Sequence, residues 1–360
     1  MFLVLYYIKK ENMKINRCEY NPIININDVV PSDSRFKVIG VFNAGVTEYN
    51  GEILLLLRVA EKSIDNEKEY RVPVYNVQNK RYDILSFDKN DRTYDYNDPR
   101  VIRKEEKVWL TSVSQLRIAR SSDYVHFKIE NKPFIIGDNE LEIYGVEDPR
   151  ITKIGRKYYI NYSGVSDHGI CTMLAETEDF ITVKKLGAIF LPDNKDAVIF
   201  PKKINGVYFA LNRPVSEYFK KPEIWISRSK DLKNFGSHKI FMSLSVKGFD
   251  DLRIGGSCVP FLIKEGWLVI YHGCGKDLKY SLGAALLDKN DPARILKRSR
   301  SAIMEPEASY EKNGFVPNVI FSCGCIRKGN TVHLYYGACD ENLCYAKFQI
   351  KDILKELEDV

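Results

Sequence analysis

The chain has 360 residues, 44% of them hydrophobic and 28% charged, with a formal net charge of +6. That is apolar material for one large core or two modest ones, which excludes a disordered chain. The excess charge is dispersed and no run of five basic residues occurs, so no nucleic-acid partner is expected, although a local basic pocket for a small anion is compatible with it.

The opening MFLVLYYIKK has about seven apolar residues with no basic segment ahead of them, which predicts neither a membrane span nor an export signal. Met13 begins a second start, MKINRCEYNP, so residues 1–12 read as an upstream extension. Residues 1–40 as a whole are expected to pack on the domain that follows.

From residue 44 the chain repeats itself. AGVTEYNGEILLLLRV (44–59), PRITKIGRKYYINYSG (149–164), PKKINGVYFALNRP (201–214), PFLIKEGWLVIYHG (260–273) and VIFSCGCIRKGNTVHLYYG (319–337) each read as a short apolar strand, a Gly-containing turn and an alternating strand, the signature of a hairpin. Most are followed by a second pair of strands: LRIARSSDYVHF (116–127), CTMLAETEDFITV (171–183), IWISRSKDLKNFG (224–236) and YSLGAALLDKNDP (280–292). There a Ser or Thr two residues before Asp closes the turn through side-chain to backbone bonds in the first three. A four-stranded unit cannot bury both of its faces alone, and stacking such units around an axis solves this while leaving only short edges. The expected fold is therefore all-β, a five-bladed β-propeller of four-stranded antiparallel blades over 41–350, with 351–360 as a tail. The further hairpin PRVIRKEEKVWLTSVS (99–114) lacks a second pair, so 60–115 reads as an elaboration of the first blade.

Innermost strands of a propeller start around one funnel. On this pattern Asn43, Asp148 with Arg150, Lys195, Arg253 and the pair Tyr336/Asp340 converge with Arg58, Arg213 and His272, a gathering of charge that requires mutual pairing or a ligand. The eight cysteines lie mostly in apolar strand-like runs and are expected as reduced thiols of a cytoplasmic protein. Cys323-Gly-Cys325 has no second pair at zinc spacing, and no metal site is expected.

Several of these stretches carry a family resemblance. VFNAGV with LLLLRVAE, EDPRI with YYINY and ETEDF, KDAVIFPKKINGVYFALNRP, RIGG with EGWLVIYHG, YSLGAALLDKNDPARILKRS, and GFVPNVIFSCG with YYGACD run in order over about 41–346 and resemble glycoside hydrolase family 130, the β-mannoside phosphorylases and related mannosidases. The resemblance implies cleavage of β-mannosidic bonds with inversion, the phosphorylases using inorganic phosphate as co-substrate to release α-mannose 1-phosphate, with no metal or organic cofactor. It makes Asp148 of the DPR motif the general acid, its proton passing through the 3-hydroxyl of the mannose. It places Lys195, Arg213, Arg253 and His272, all four basic, on the phosphate, and Asn43, Arg58, Arg150 and Asp340 on the sugar. Many relatives have Arg where Lys195 stands and Lys where Arg253 stands, and some have Ser where this chain has Ala44.

Tyr336 and Tyr335 are weighed as an apolar platform against strand packing, and His168, in SDHG, as a loop residue facing the funnel. Glu147 either orients Arg150 or is a solvated turn residue. Asp98 in NDPR imitates the catalytic motif but reads as a turn, as does Asp291. His126, His238 and His333 read as surface or packing residues. The full basic set favours the phosphorylase branch, and the wording RSSD and RIGG favours β-1,2-linked over β-1,4-linked mannosides. Two alternatives stay open: an inverting β-mannosidase that uses water with Glu217 or Glu147 as base, and a catalytically silent sugar-binding propeller. Association into a homo-oligomer is also left open; no membrane partner is expected.

Overall fold

A computed structural model of the chain describes Met13, residues 15–216 and residues 218–360. Two of its two-residue hairpin turns are Asn-Gly pairs. Asn50-Gly51 has φ of 51° and 82°, and Asn205-Gly206 has 51° and 83°. Asn and Gly tolerate this left-handed backbone best, and it matches the twist of the flanking strands. Asn50-Gly51 joins Phe36–Tyr49 to Glu52–Ser63, with Tyr49 paired to Glu52.

The strands form five blades. The first contains Phe36–Tyr49, Glu52–Ser63, Val113–Ser121 and Lys128–Ile129. The second contains Val146–Ile154, Lys157–Ser166, Gly169–Thr177 and Lys184–Phe190, and the third Asn194–Ile199, Tyr208–Pro214, Ile224–Ser229 and Phe235–Met242. The fourth runs through Arg253–Gly256, Trp267–Cys274, Tyr280–Leu287 and Ile295–Ser299. The fifth takes Ile320–Lys328, Thr331–Ala338 and Asn342–Gln349, and its outermost strand, Asn16–Arg17, comes from the other end of the chain.

The repeated turn is where the Ser/Thr-x-Asp pattern puts it. Asp123, Asp179 and Asp231 each accept backbone N–H groups through Oδ1, from Val125 and His126, from Ile181 and Thr182, and from Lys233 and Asn234, at 2.8–3.1 Å. These short carboxylates close the third-to-fourth strand turn of three blades alike.

Apolar residues fill the wedges between blades. Leu54, Leu56 and Ile118 meet Ile151, Ile160 and Tyr162 between blades one and two. Leu174 and Phe190 meet Ile199 and Ala210 between two and three, and Leu211 and Ile226 meet Val269 and Ala285 between three and four. Leu268 and Leu282 meet Leu334 and Phe348 between four and five, and Tyr335 and Tyr345 meet Leu55 and Leu57 where five returns to one. At roughly 1.5–3 kcal/mol for each large apolar side chain buried, these five seams are the main source of cohesion, and each exists only because two blades abut.

The expected ends of the domain differ in detail. The first strand begins at Phe36 rather than at 41, because the alternation that pairs Val41 with Val59 continues back to the pair Phe36–Ser63. In the expected tail, Ile350–Lys355 is a short helix with Ile353 buried, and Leu357–Asp359 adds a strand to the edge of the fourth blade. The elaboration of blade one holds two small hairpins, Glu69–Asn76 with Arg81–Asp88 and Val101–Lys104 with Lys107–Leu110. The reading of residues 1–12 lies outside the described residues.

What positions the site is a defect shared by four of the five innermost strands, those of blades one, two, three and five. Their ladders shift register between Phe42 and Gly45, Glu147 and Arg150, Lys195 and Val198, and Phe321 and Gly324. In three of them a polar residue takes left-handed backbone inside the shift: Asn43 and Asp148 with φ of 49°, Asp196 with 54°. Such a bulge breaks the strict alternation and re-aims one side chain.

Candidate active site

Asn43, Asp148 and Asp196 all line one cavity of about 400 Å³. Its first half is rich in carboxylates. Asp148 is 6% exposed, and its Oδ1 accepts from Asn43 Nδ2 at 2.9 Å and from Arg58 Nη1 at 3.0 Å. Among the described residues no hydrogen bond reaches Oδ2, which leaves that oxygen for a ligand. Arg58 also donates from Nη2 to Glu147 Oε1 at 2.7 Å, so one guanidinium spans two adjacent acids. Gly337 permits this approach: a Cβ there would stand 2.3 Å from Asn43 Oδ1.

These charges set the protonation of the half. Burial acts to raise the Asp148 carboxyl, but Arg58, Arg150, Lys195 and the Asn43 bond outweigh it and hold it below the usual carboxylate range. For Glu147 burial wins, with Asp148 adding to it, and the carboxyl is raised. Asp340, on the same wall, is pushed up to about 6 by burial and by Asp148 and Glu147, against the pull of Arg58.

The other half is basic and is organised by one buried carboxylate. Asp196 is 2% exposed and lies 3.0 Å from Arg213 Nη2, 3.3 Å from Arg150 Nη2 and 3.4 Å from His272 Nε2. Burial acts to raise it, but Arg213, His272 and Arg150 together hold it well below the ordinary range. Gly255 makes room for this cluster, since a Cβ there would stand 2.5 Å from His272 Cε1 and 2.7 Å from Asp196 Oδ2. Phe321 packs on the His272 ring at 4.4 Å between centroids, and Arg253 Nη1 donates to the Tyr280 hydroxyl at 3.0 Å. Among the described residues Lys195 and Arg253 enter no salt bridge within 4 Å. Lys195, Arg213 and Arg253, lining the cavity with the single carboxylate of Asp196, leave a surplus of positive charge at this end, which is an anion site waiting to be neutralised.

Of the residues singled out from the sequence, Asn43, Arg58, Asp148, Lys195, Arg213, Arg253, His272 and Asp340 all line this cavity. The others do not, and His272 differs in character. Burial, with Arg213 and Arg150 adding to it, pushes its imidazole down to about 4 despite Asp196. In the free chain it is a neutral hydrogen-bonding group near pH 7, not a fourth cation. Arg150 is 1% exposed and donates to the carbonyls of Asp148 at 2.9 Å and Gly256 at 2.9 Å, so it straps blade two to blade four instead of facing the cavity. Tyr336 shares the inter-blade face with Leu334 and Ala338 through strand alternation, and its hydroxyl donates to Glu311 Oε1 at 2.7 Å, so it is a core residue. Tyr335 packs in the opposite seam. His168 sits in the tight turn between Ser166 and Gly169, with its side chain 65% exposed beside Asp167. Glu147 pairs with Arg58, not with Arg150. Glu217 lies outside the described residues.

Two contributors escaped the sequence reading. Asp196 directly follows Lys195, and superposing the bulges FNAG, EDPR and KDAV would have revealed it as the equivalent of Asn43 and Asp148. Arg100 reaches the same cavity from the elaboration of blade one while ion-paired to Asp98 at 2.8 Å. Asp98 thus has the turn role expected of it, also accepting the Arg100 N–H at 3.0 Å, and the arginine of its imitation motif carries the functional interest.

A model of glycoside hydrolase family 130, described as beta-1,4-mannooligosaccharide phosphorylase, matches residues 111–359. The chain is 47% identical over 351 residues to a Beta-1,2-mannobiose phosphorylase of Listeria innocua, covering 96% of this chain and 99% of that one. It is 39% identical over 246 residues to a 1,2-beta-oligomannan phosphorylase of Thermoanaerobacter sp., covering 67% and 80%. The solved structure of the Listeria innocua Beta-1,2-Mannobiose phosphorylase with beta-1,2-mannobiose superposes with a TM-score of 0.92 at 47% identity, over 96% of this chain and 99% of that one.

Proposed function

The chain belongs to glycoside hydrolase family 130, and from that premise we propose that it is an inverting phosphorylase of β-1,2-linked mannobiose and short β-1,2-oligomannosides. Inorganic phosphate is the nucleophile and α-mannose 1-phosphate the product. The observation that carries this reading is the surplus of cations at the basic end. An inverting hydrolase needs a second carboxylate, roughly 6.5–9.5 Å from the acid, to deprotonate water. The carboxylate in the basic half is Asp196, and Arg213, Arg150 and His272 hold it ionised far too firmly to act as a base. Glu147 is committed to Arg58 beside the acid itself. A phosphate, already an anion, needs no base but does need Lys195, Arg213 and Arg253 to neutralise and aim it. The two relatives named for β-1,2 substrates support that linkage over the β-1,4 wording of the family model.

Asp148 is the general acid. Asn43 and Arg58 fix Oδ1, so Oδ2 faces the sugar, and the proton passes to the departing oxygen by way of the mannose 3-hydroxyl, as the family resemblance implies. Phosphate brings negative charge beside Lys195, one of the cations that depress Asp148, and thereby raises the proton affinity of the acid when both substrates are present. One phosphate oxygen forms the new bond to C1 as the C1–O glycosidic bond breaks on the opposite face. In the balance the proton of hydrogen phosphate ends on the released hydroxyl. Eight cysteines without a disulfide fit a reducing, cytoplasmic setting.

Incubation with β-1,2- and β-1,4-mannobiose, with and without phosphate, tests the reading. α-Mannose 1-phosphate is expected from the β-1,2 isomer only when phosphate is present. Equal release of mannose in its absence would show water to be the nucleophile.

A further inference from the structure

Resting on that phosphorolytic reading, we propose that inorganic phosphate reaches the site by its own route, a second cavity that meets the first at Arg213 and Arg253. This cavity measures about 520 Å³ and is lined by Val215, Ser216, Lys220, Pro222 and Leu252 besides the two arginines. It shares those two arginines with the catalytic cavity, but Asn43, Arg58, Asp148 and Asp340 line only the latter. The second cavity therefore touches the basic end alone.

Its charge suits an inorganic anion. Lys220 joins Arg213 and Arg253 on its wall, opposed by Asp193, one of whose oxygens already accepts the Ile170 N–H at 2.8 Å. Arg213 is 5% exposed, and its Nε is buried with no partner. A donor in that state costs free energy unless an acceptor arrives, and it belongs to the side chain that separates the two spaces. The wall is a built loop: Val215 N–H donates to Asp193 O at 2.9 Å, Lys220 N–H to Ser216 O at 2.8 Å, and Ile254 N–H to Pro222 O at 3.1 Å.

The chemistry supplies the need for such a route. Inversion requires the nucleophile on the face of C1 opposite the departing sugar. With a disaccharide seated against Asp148, phosphate must still reach Arg213 and Arg253 of the same 400 Å³ cavity. A lateral cavity lets phosphate enter behind a bound mannoside, and lets its position be exchanged without release of the sugar.

The test uses the full-length enzyme with Lys220→Glu and Val215→Trp, two substitutions at exposed positions of the wall. Initial rates are measured against phosphate and against β-1,2-mannobiose separately, at low and high ionic strength. Lys220→Glu is expected to lower kcat/KM for phosphate by about fivefold at low salt, an effect that narrows as salt screens it. Val215→Trp is expected to lower it at either ionic strength. In both variants KM for mannobiose stays within about twofold of wild type, since the route carries anions only. Unchanged phosphate kinetics in both variants overturn the proposal, as does a parallel change in both substrates or a change in the mannobiose KM alone. Phosphate dependence of the wild type separates the two levels. A wild type that turns over without phosphate defeats the phosphorolytic reading and this route with it, whereas a phosphate-dependent wild type with unaffected variants defeats the route alone.

Discussion

At the carboxylate end of the cavity one arginine, Arg58, spans Glu147 and Asp148, whereas at the basic end one carboxylate, Asp196, draws together Arg150, Arg213 and His272. The two ends are built on the same plan with the signs exchanged. A single opposite charge places several like charges without cancelling them, and the residue left over is what the ligand must complement. The ends differ in depth. Asp196 sits among partners as buried as itself, while Arg58 and Glu147 each keep nearly a fifth of their side chains exposed. The basic end is therefore a fixed mould, and the acidic end is a set of protons whose positions depend on what is bound.

The sharpest way to break this comparison is Asp148→Asn, which preserves shape and the hydrogen bond from Asn43 but removes the carboxyl that carries the proton. Phosphorolysis is expected to fall by about 10²–10⁴, with circular dichroism and the unfolding transition showing an intact fold. Retention of more than a tenth of the wild-type rate would remove Asp148 from the acid role.

Asp196→Asn probes the other organiser. It leaves Arg213, Arg150 and His272 without their carboxylate, and the KM for phosphate is expected to rise about tenfold or more, while that for mannobiose stays within about twofold. Equal rises in both constants would mean that Asp196 maintains the cavity as a whole and does not organise the anion end.

Asp340→Asn gives the smallest and most diagnostic effect. With its pKa raised to about 6 in the folded chain, from an ordinary value of 3.8, the Asp340 carboxyl binds its proton more tightly folded than unfolded. Its favourable contribution is complete below the unfolded value and is lost as pH rises through 6. The asparagine variant is thus expected to melt a few degrees above wild type at pH 7–8 and to lose that advantage by about pH 4. A constant difference across the range would mean that Asp340 is not strained by its neighbours.

Much of the site was legible residue by residue because a family resemblance carried Asn43, Arg58, Asp148, Lys195, Arg213, Arg253, His272 and Asp340 onto named positions, and all eight meet at one cavity. The misreadings share a cause. Tyr336 and Arg150 lie within two to four residues of cavity groups, but nearness in sequence is not nearness to the site. Along a strand neighbouring side chains leave opposite faces, and at a bulge even that rule is suspended. Asp196 was missed beside Lys195 because its role rests on partners 17, 46 and 76 residues away in the chain.

The sequence by itself determined the all-β repeat, its Asn-Gly and Ser/Thr-x-Asp turns, and the chemical types gathered at the starts of the inner strands, because turn chemistry and the two-residue period are local properties of the chain. The tertiary structure decided which of those groups face one another and in what ionisation state. Burial and the field of neighbours from other blades make His272 neutral, keep Asp148 ionised and raise Asp340, and those are sums over distances that no single segment contains.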